Sequence, residues 1–397
     1  MKIKDQAKIS IPVLIVLILL GAALAFARTP ALSRNGKIVF TSDRNGKQEI
    51  FLMNGDGTQQ ERLVSSSASD SFPTWSPDGR KIAFVGQNGT GGFSIKLVNA
   101  AGTNETEVTP IDFRNSPYPW HEKFSLSWSP DGGRIAFEEN GEIFTVNVDG
   151  GNRTNLTNNP AFDYEPTWSP DGSHIIFASA RVFYVVMHSM RSDGSDVRAL
   201  PTDGEAWDMS PDWSPTGARI AFIVHSELYL PMIYTANADG TDRQVFDACG
   251  ATGLCSTHRN KPKWSPDGSS IVYNIWEYFS NDSDIYVKNI QGDGAARLTN
   301  LGNNYQPTWQ PLANEVTISG RVSTPDGRGL RNAVVSITDS LGVRRTATTS
   351  SFGLFAFDSV RAGEAYVIGV SSKRYRFASQ TIQVNNTLTD VNFVGLE

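Results

Sequence analysis

One twelve-residue phrase, written five times, constrains this chain more than any other feature. Pro73-Thr-Trp-Ser-Pro-Asp-Gly-Arg-Lys-Ile-Ala-Phe84 returns over 126–137, 166–177, 211–222 and 262–273, and Pro307-Thr-Trp-Gln-Pro311 is a truncated further copy. The Trp residues fall at 75, 128, 168, 213, 264 and 309, at intervals of 40 to 53 residues. Periods near 40–50 residues belong to propeller blades, units that cannot bury their apolar faces alone and must stack on one another.

Each copy has the parts of a four-stranded antiparallel unit. A short strand ends at the Trp. Ser-Pro-Asp-Gly is a turn: Pro presets φ at the second position, Asp suits the next and Gly closes it. Ile-Ala-Phe is a second strand, with branched and aromatic residues suited to a pleated surface. A third strand follows, such as Glu142–Asn147, and runs into an Asp-Gly hairpin, as at Asp149-Gly150 and Asp239-Gly240. The ends of the series are complementary. Gly36–Phe40 and Glu49–Asn54 are second and third strands with no Trp strand before them, while Pro307–Trp309 is a first strand with nothing after it. Joining them gives six blades closed by a split blade, which removes exposed sheet edges.

The recurring P-x-W-S-P-D-G-x-x-I-A-F phrase resembles the TolB-type, WD-like propeller repeat over residues 36–312. The resemblance implies a six-bladed β-propeller and leaves the function open, because this repeat serves many roles. Residues 315–397 read differently. Val316–Val322, Ala333–Ile337, Arg344–Thr349, Leu354–Phe357, Ala365–Val370, Thr381–Val384 and Val391–Phe393 are short strands, as in a seven-stranded β-sandwich. Ile318–Val322, Gly329–Val335, Thr348–Phe357 and Val360–Gly363 resemble the carboxypeptidase regulatory-like, transthyretin-like domain, which in its family is an accessory without catalytic residues. The expected fold class is therefore all-β, with domains at 28–312 and 315–397.

Residues 1–27 read as an export signal. Lys2, Lys4 and Lys8 precede an apolar run from Ile11 to Phe26, and Ala25-Phe26-Ala27 is an A-x-A cleavage pattern. Sixteen apolar positions fall short of the roughly 20 of a spanning helix. The alternative is a retained single-pass anchor. Either reading places the rest outside the cytoplasm, periplasmic or secreted. There Cys249 and Cys255 can close a local disulfide, worth about 2 kcal/mol, the alternative being two free thiols.

Composition narrows the function classes. The net charge is −6, and residues 28–314 carry 23 basic against 33 acidic side chains. That argues against a nucleic-acid partner. No G-x-S-x-G elbow, P-loop, H-E-x-x-H or EF-hand loop occurs, and the five His residues lack metal-site spacing, so no catalytic residue, cofactor or metal is expected. The repeated Trp is read as packing between blades and the turn Asp as a turn former. The positions that vary are five and three places before each Trp. Asp70, Lys123, Asp163, Asp208, Arg259 and Asn304 form the first set; Phe72, Ser125, Glu165, Ser210, Lys261 and Gln306 form the second. The first set is expected to ring the mouth of a polar funnel and contact a ligand. The functional expectation is a non-catalytic binding or scaffolding protein for a protein, peptide or glycan of the envelope, touching the membrane only through residues 1–27. The alternative is a propeller hydrolase or lyase acting on an extracellular glycan or peptide.

Overall fold

The computed structural model of the protein describes residues 36–66, 68–88, 91–112, 124–204, 206–225, 231–248, 257–277, 280, 282–292, 294–311, 315–339, 344–361, 364–384 and 387–396. The expectations for residues 1–27 and for Cys249 and Cys255 lie outside them. Every regular element among the described residues is a β-strand.

Residues 36–311 form six four-stranded sheets, numbered here in chain order. Sheet 1 combines Asn304–Trp309, on the inside, with Ile38–Ser42, Glu49–Met53 and Glu61–Arg62. Sheet 2 holds Asp70–Trp75, Lys81–Gln87, Phe93–Asn99 and Thr106–Ile111; sheet 3 holds Leu126–Trp128, Arg134–Glu139, Glu142–Asn147 and Thr154–Asn155. Sheet 4 holds Asp163–Trp168, His174–Ser179, Val186–Arg191 and Arg198–Ala199; sheet 5 holds Trp207–Trp213, Arg219–His225, Met232–Asn237 and Gln244–Asp247. Sheet 6 holds Thr257–Trp264, Ser270–Glu277, Ser283–Asn289 and Ala295–Arg297. In all six the inner strand ends on the repeated Trp.

The turn after that Trp shows why its four residues recur. Ser76 Oγ accepts the Lys81 N–H at 2.9 Å and donates to Asp78 Oδ1 at 2.6 Å; the same oxygen accepts the Arg80 N–H at 3.0 Å. Ser129 with Asp131, Ser169 with Asp171 and Ser265 with Asp267 repeat the pattern. The glycine that follows stands at φ of 67° to 72° at Gly79, Gly132, Gly172, Gly217 and Gly268, a region that strains a side chain. Local chemistry alone therefore fixes the turn.

The Trp rings lie where sheets meet. Trp75 packs with Val39, Ile50 and Leu52 of sheet 1 and with Ile82, Phe84 and Val98 of its own sheet. Trp168 packs against Ala136 and Ile143 of sheet 3, and Trp264 against Ala221, Ile223 and Ile233 of sheet 5. Trp309 sits with Ile38 and Phe40 of sheet 1 and with Val272 and Ile285 of sheet 6. An aromatic at such a seam buries about 150–250 Å².

Residues 315–396 form a three-stranded sheet, Leu354–Arg361, Glu315–Ser323 and Phe393–Val394, and a four-stranded one, Arg344–Thr348, Val334–Thr338, Glu364–Ser371 and Gln380–Val384. Both contribute to one core: Ile318, Val322, Phe355 and Phe393 from the first, Val335, Ile337, Ile368 and Val384 from the second.

Candidate functional site

The site is built from the inner strands of the six sheets. Five of them carry Pro two places before the Trp, at Pro73, Pro166, Pro211, Pro262 and Pro307. Each of the five breaks register with its neighbouring strand there. The residue before the Pro takes a left-handed backbone, with φ of 55° at Phe72, 56° at Glu165, 53° at Ser210, 50° at Lys261 and 53° at Gln306. A bulge leaves one residue without a ladder bond, which suits a Pro that has no N–H. Sheet 3 has Leu126 in that place, and its strand pairs without interruption from Leu126↔Phe137 to Trp128↔Ile135.

These bulged residues are bonded to one another from different sheets. Phe72 stacks edge-to-face on Phe124 with ring centres 5.1 Å apart. Gln306 Oε1 accepts the Phe72 N–H at 3.0 Å and the Thr41 hydroxyl at 2.9 Å. Glu165 accepts the Ser210 N–H at 2.7 Å and its hydroxyl at 2.8 Å. The Lys261 ammonium, from sheet 6, donates to Glu165 of sheet 4 and, at 3.1 Å, to the Phe124 carbonyl beside sheet 3. Behind Glu165 lies Glu138, 4% exposed, which accepts the Gly141 N–H at 3.2 Å. Burial pushes the Glu138 carboxyl up to about 7, and the neighbouring Glu165 adds to the rise against the opposing Gly141 N–H and Lys261.

Toward the Ser-Pro-Asp-Gly turns, a cavity of about 220 Å³ is lined by residues of all six inner strands, the six Trp among them. Its polar wall includes Ser127, Thr167, Asp212, Lys263 and Thr308. Two of these also tie neighbouring sheets together: Ser127 Oγ accepts the Trp168 N–H at 3.0 Å and Asp212 Oδ2 the Trp264 N–H at 2.8 Å. Asp212 pairs with Lys263 at 2.9 Å, and burial holds its carboxyl above the ordinary range.

Four of the residues five places before the Trp are buried. Asp163, Asp208 and Asn304 are fully buried and Asp70 is 1% exposed. Arg181 bonds both oxygens of Asp163, at 3.2 and 2.7 Å, and Arg243 both oxygens of Asp208, at 2.9 and 2.8 Å. Arg44 donates to Asn304 Oδ1 at 2.9 Å. Each guanidinium lies over an aromatic ring, Arg44 at 4.5 Å from the Phe51 centre, Arg181 at 5.6 Å from Phe177 and Arg243 at 4.6 Å from Phe222. At Asp163, Asp208 and Asn304 the side chains are held within the framework, not presented as an exposed ring. Asp70 differs from the rest. Ser66 Oγ donates to its Oδ2 at 2.6 Å, its Oδ1 has no hydrogen-bond partner, and burial raises its pKa. Lys123 lies outside the described residues; Arg259 pairs with Ile275 in the sheet 6 ladder, and its side chain is not described. The arginine partners escaped the sequence reading because they come from other strands and loops. Their signal was an Arg recurring six residues past the second-strand Ile, at Arg44 and Arg181.

Among the described residues, no three His, Cys, Asp or Glu side chains are grouped to hold a metal ion. His188 is buried against Phe177, with ring centres 5.8 Å apart, and His225 stands edge-on to Trp207 at 5.0 Å.

Comparison with known proteins gives two family matches. The model of the TolB beta propeller domain matches residues 120–245, and that of the carboxypeptidase regulatory-like domain matches residues 317–394. The chain is 36% identical over 145 residues to the protein TolB homolog of Chlorobium chlorochromatii, covering 36% of this chain and 31% of that protein. It is 30% identical over 131 residues to the Tol-Pal system protein TolB of Anaeromyxobacter dehalogenans, covering 31% and 27%. It thus spans about a third of the length of these relatives. The crystal structure of TolB from Acinetobacter baumannii superposes with a TM-score of 0.58 at 22% identity, over 70% of this chain and 67% of that one, a likeness of fold.

Proposed function

We propose that this chain, a TolB-type propeller followed by a carboxypeptidase regulatory-like domain, is a non-catalytic binding or scaffolding protein of the cell envelope, periplasmic or secreted. One observation carries the reading. Four inner-strand carboxylates are held by cations, Glu165 by Lys261 and Asp212 by Lys263 of another inner strand, Asp163 by Arg181 and Asp208 by Arg243 from outside the inner strands. Charges tied in pairs, two of them across sheets and two within a sheet, make a stiff frame; they are not poised as acid, base or nucleophile toward a substrate. The relatives named as Tol-Pal system proteins support an envelope role.

The six sheets are taken as six blades, the first split between the chain's two ends, and the two C-terminal sheets as a seven-stranded sandwich at 315–397. Residues 1–27 are taken as the export signal or anchor. Recognition falls to the loops above the buried ring, at the end of the inner strands remote from the Trp, and the partner is a protein, peptide or glycan of the envelope. Affinity capture with residues 28–397 from the native envelope, followed by reconstitution with the purified partner, tests this. Saturable binding without turnover is the expected result. Hydrolysis or elimination of a peptide or glycan, abolished by Glu165→Gln in a folded protein, would overturn it.

A further inference from the structure

The loop between His174–Ser179 and Val186–Arg191 leaves sheet 4 at the end remote from its Ser-Pro-Asp-Gly turn. Both its ends are fixed. Arg181 bonds the buried Asp163, Ala180 N–H donates to the Phe162 carbonyl at 2.8 Å, and Asp208 N–H donates to the Val185 carbonyl at 2.9 Å. Val185 itself is buried in a cluster that Trp207 packs against. Between these anchors the tip carries Val182, 51% exposed, and Phe183, 93% exposed, with Phe183 edge-on to Tyr184 at 5.0 Å. The core gains nothing from an aromatic ring held in water on a braced tip. Single apolar side chains on a surface are ordinary, but adjacent ones on a fixed projection mark an interface.

We propose that the Val182–Phe183–Tyr184 tip is a protein-docking knob that seats in an apolar pocket of the envelope partner; this rests on the binding reading above and places its contact on sheet 4. The convex shape selects the class of partner. A small molecule or sugar binds in a concave site and cannot enclose a projecting ring. A lipid surface is the other apolar medium, but it is disfavoured. Residues 28–314 carry a net charge of −10, which anionic headgroups repel, and the one cation in the loop, Arg181, is committed to Asp163. A protein pocket can accept the ring without facing that repulsion.

The test places a photo-reactive phenylalanine analogue at position 183 of the full chain in its own envelope, with the same group at Val245, 51% exposed on the last strand of sheet 5, as control. The expected result is a covalent adduct to one protein, formed from 183 and not from 245. That protein, purified, should bind Phe183→Ala on the order of tenfold or more weaker than wild type, while Phe183→Leu retains most of the affinity. The thermal midpoint should not move, since the ring is exposed. Adducts to lipid alone, flotation with phosphatidylglycerol vesicles that Phe183→Ala abolishes, or no adduct beyond the control would each overturn the knob. If affinity capture returns a partner that Phe183→Ala binds unchanged, the knob falls and the binding reading stands.

Discussion

Asp208 and Asp70 occupy the same place in their repeats, five residues before the Trp, and differ in what meets them. Asp208 is fully buried and bonded through both oxygens to Arg243, itself 6% exposed at the side chain. Removing Asp208 leaves the buried Arg243 with only Asp203, at 2.7 Å, and the Pro201 carbonyl, so Asp208→Ala should destabilise by up to about 3–5 kcal/mol in denaturant unfolding. Asp70 has a buried oxygen with no partner. Sheets 1 and 4 supply an Arg six residues past the second-strand Ile; sheet 2 has Asn88 there. Asp70→Asn removes a poorly compensated charge and should change stability by less than about 1 kcal/mol. Equal losses for the two variants would show that the arginine is not what makes the position structural. Glu138 gives the pH signature. Its folded pKa of about 7 stands above the ordinary 4.5, so its contribution is complete below pH 4.5 and is lost as pH rises to 7. Glu138→Gln keeps an acceptor for the Gly141 N–H and cannot ionise. Relative to wild type, the variant should gain stability between pH 4.5 and 7, by about 3 kcal/mol at the upper end, and then run parallel. A constant difference across that range would mean that Glu138 titrates normally.

At the scale of elements, what was legible in the sequence is what local chemistry dictates. The strand ending on Trp, the Ser-Pro-Asp-Gly turn and the Asp-Gly hairpin each depend on residues within a few positions of one another. Ser169, Asp171 and Ser173 complete their turn without any other part of the chain. The Pro two places before the Trp was visible too, but not its consequence, a bulge that turns the preceding residue inward. Sheet 3, which has Leu126 in place of the Pro, pairs at that position, in keeping with that cause. The burial of the inner-strand acids is not legible in the sequence for a related reason. Position within a strand identifies which residues stand near the axis, but burial depends on partners 18 to 35 positions away, as for Asp163 with Arg181 and Asp208 with Arg243. Nothing local distinguishes a carboxylate awaiting a ligand from one already held by an arginine. Phe183 was equally silent, because only the fixed ends of its loop turn an apolar tip into a projection.

For the whole molecule, the question is what holds the two ends of the repeat series together. Chain entry and exit lie side by side: the Gln310 N–H donates to the Lys37 carbonyl at 2.7 Å, and Asn304–Trp309 pairs with Ile38–Ser42. The same strand carries Trp309, 7% exposed, into the seam with Val272 and Ile285 of sheet 6. Residues 305–311 thus complete sheet 1 and cover one side of its neighbour, whereas residues 315–397 have their own core. Two truncations separate these roles. Deleting 315–397 should leave the thermal midpoint of the propeller within a few degrees. Deleting 305–397 also removes a buried Trp, worth about 3–5 kcal/mol by itself, and unpairs the edge of Ile38–Ser42. Its midpoint should fall by at least about 10 °C, at roughly 2–4 °C per kcal/mol. Adding back residues 300–314 as a peptide should restore part of the loss by strand addition, which a merely unfolded truncation would not permit. Equal midpoints for the two truncations would mean that sheet 1 stands without its inner strand and that the pairing of Asn304–Trp309 with Ile38–Ser42 contributes little to stability.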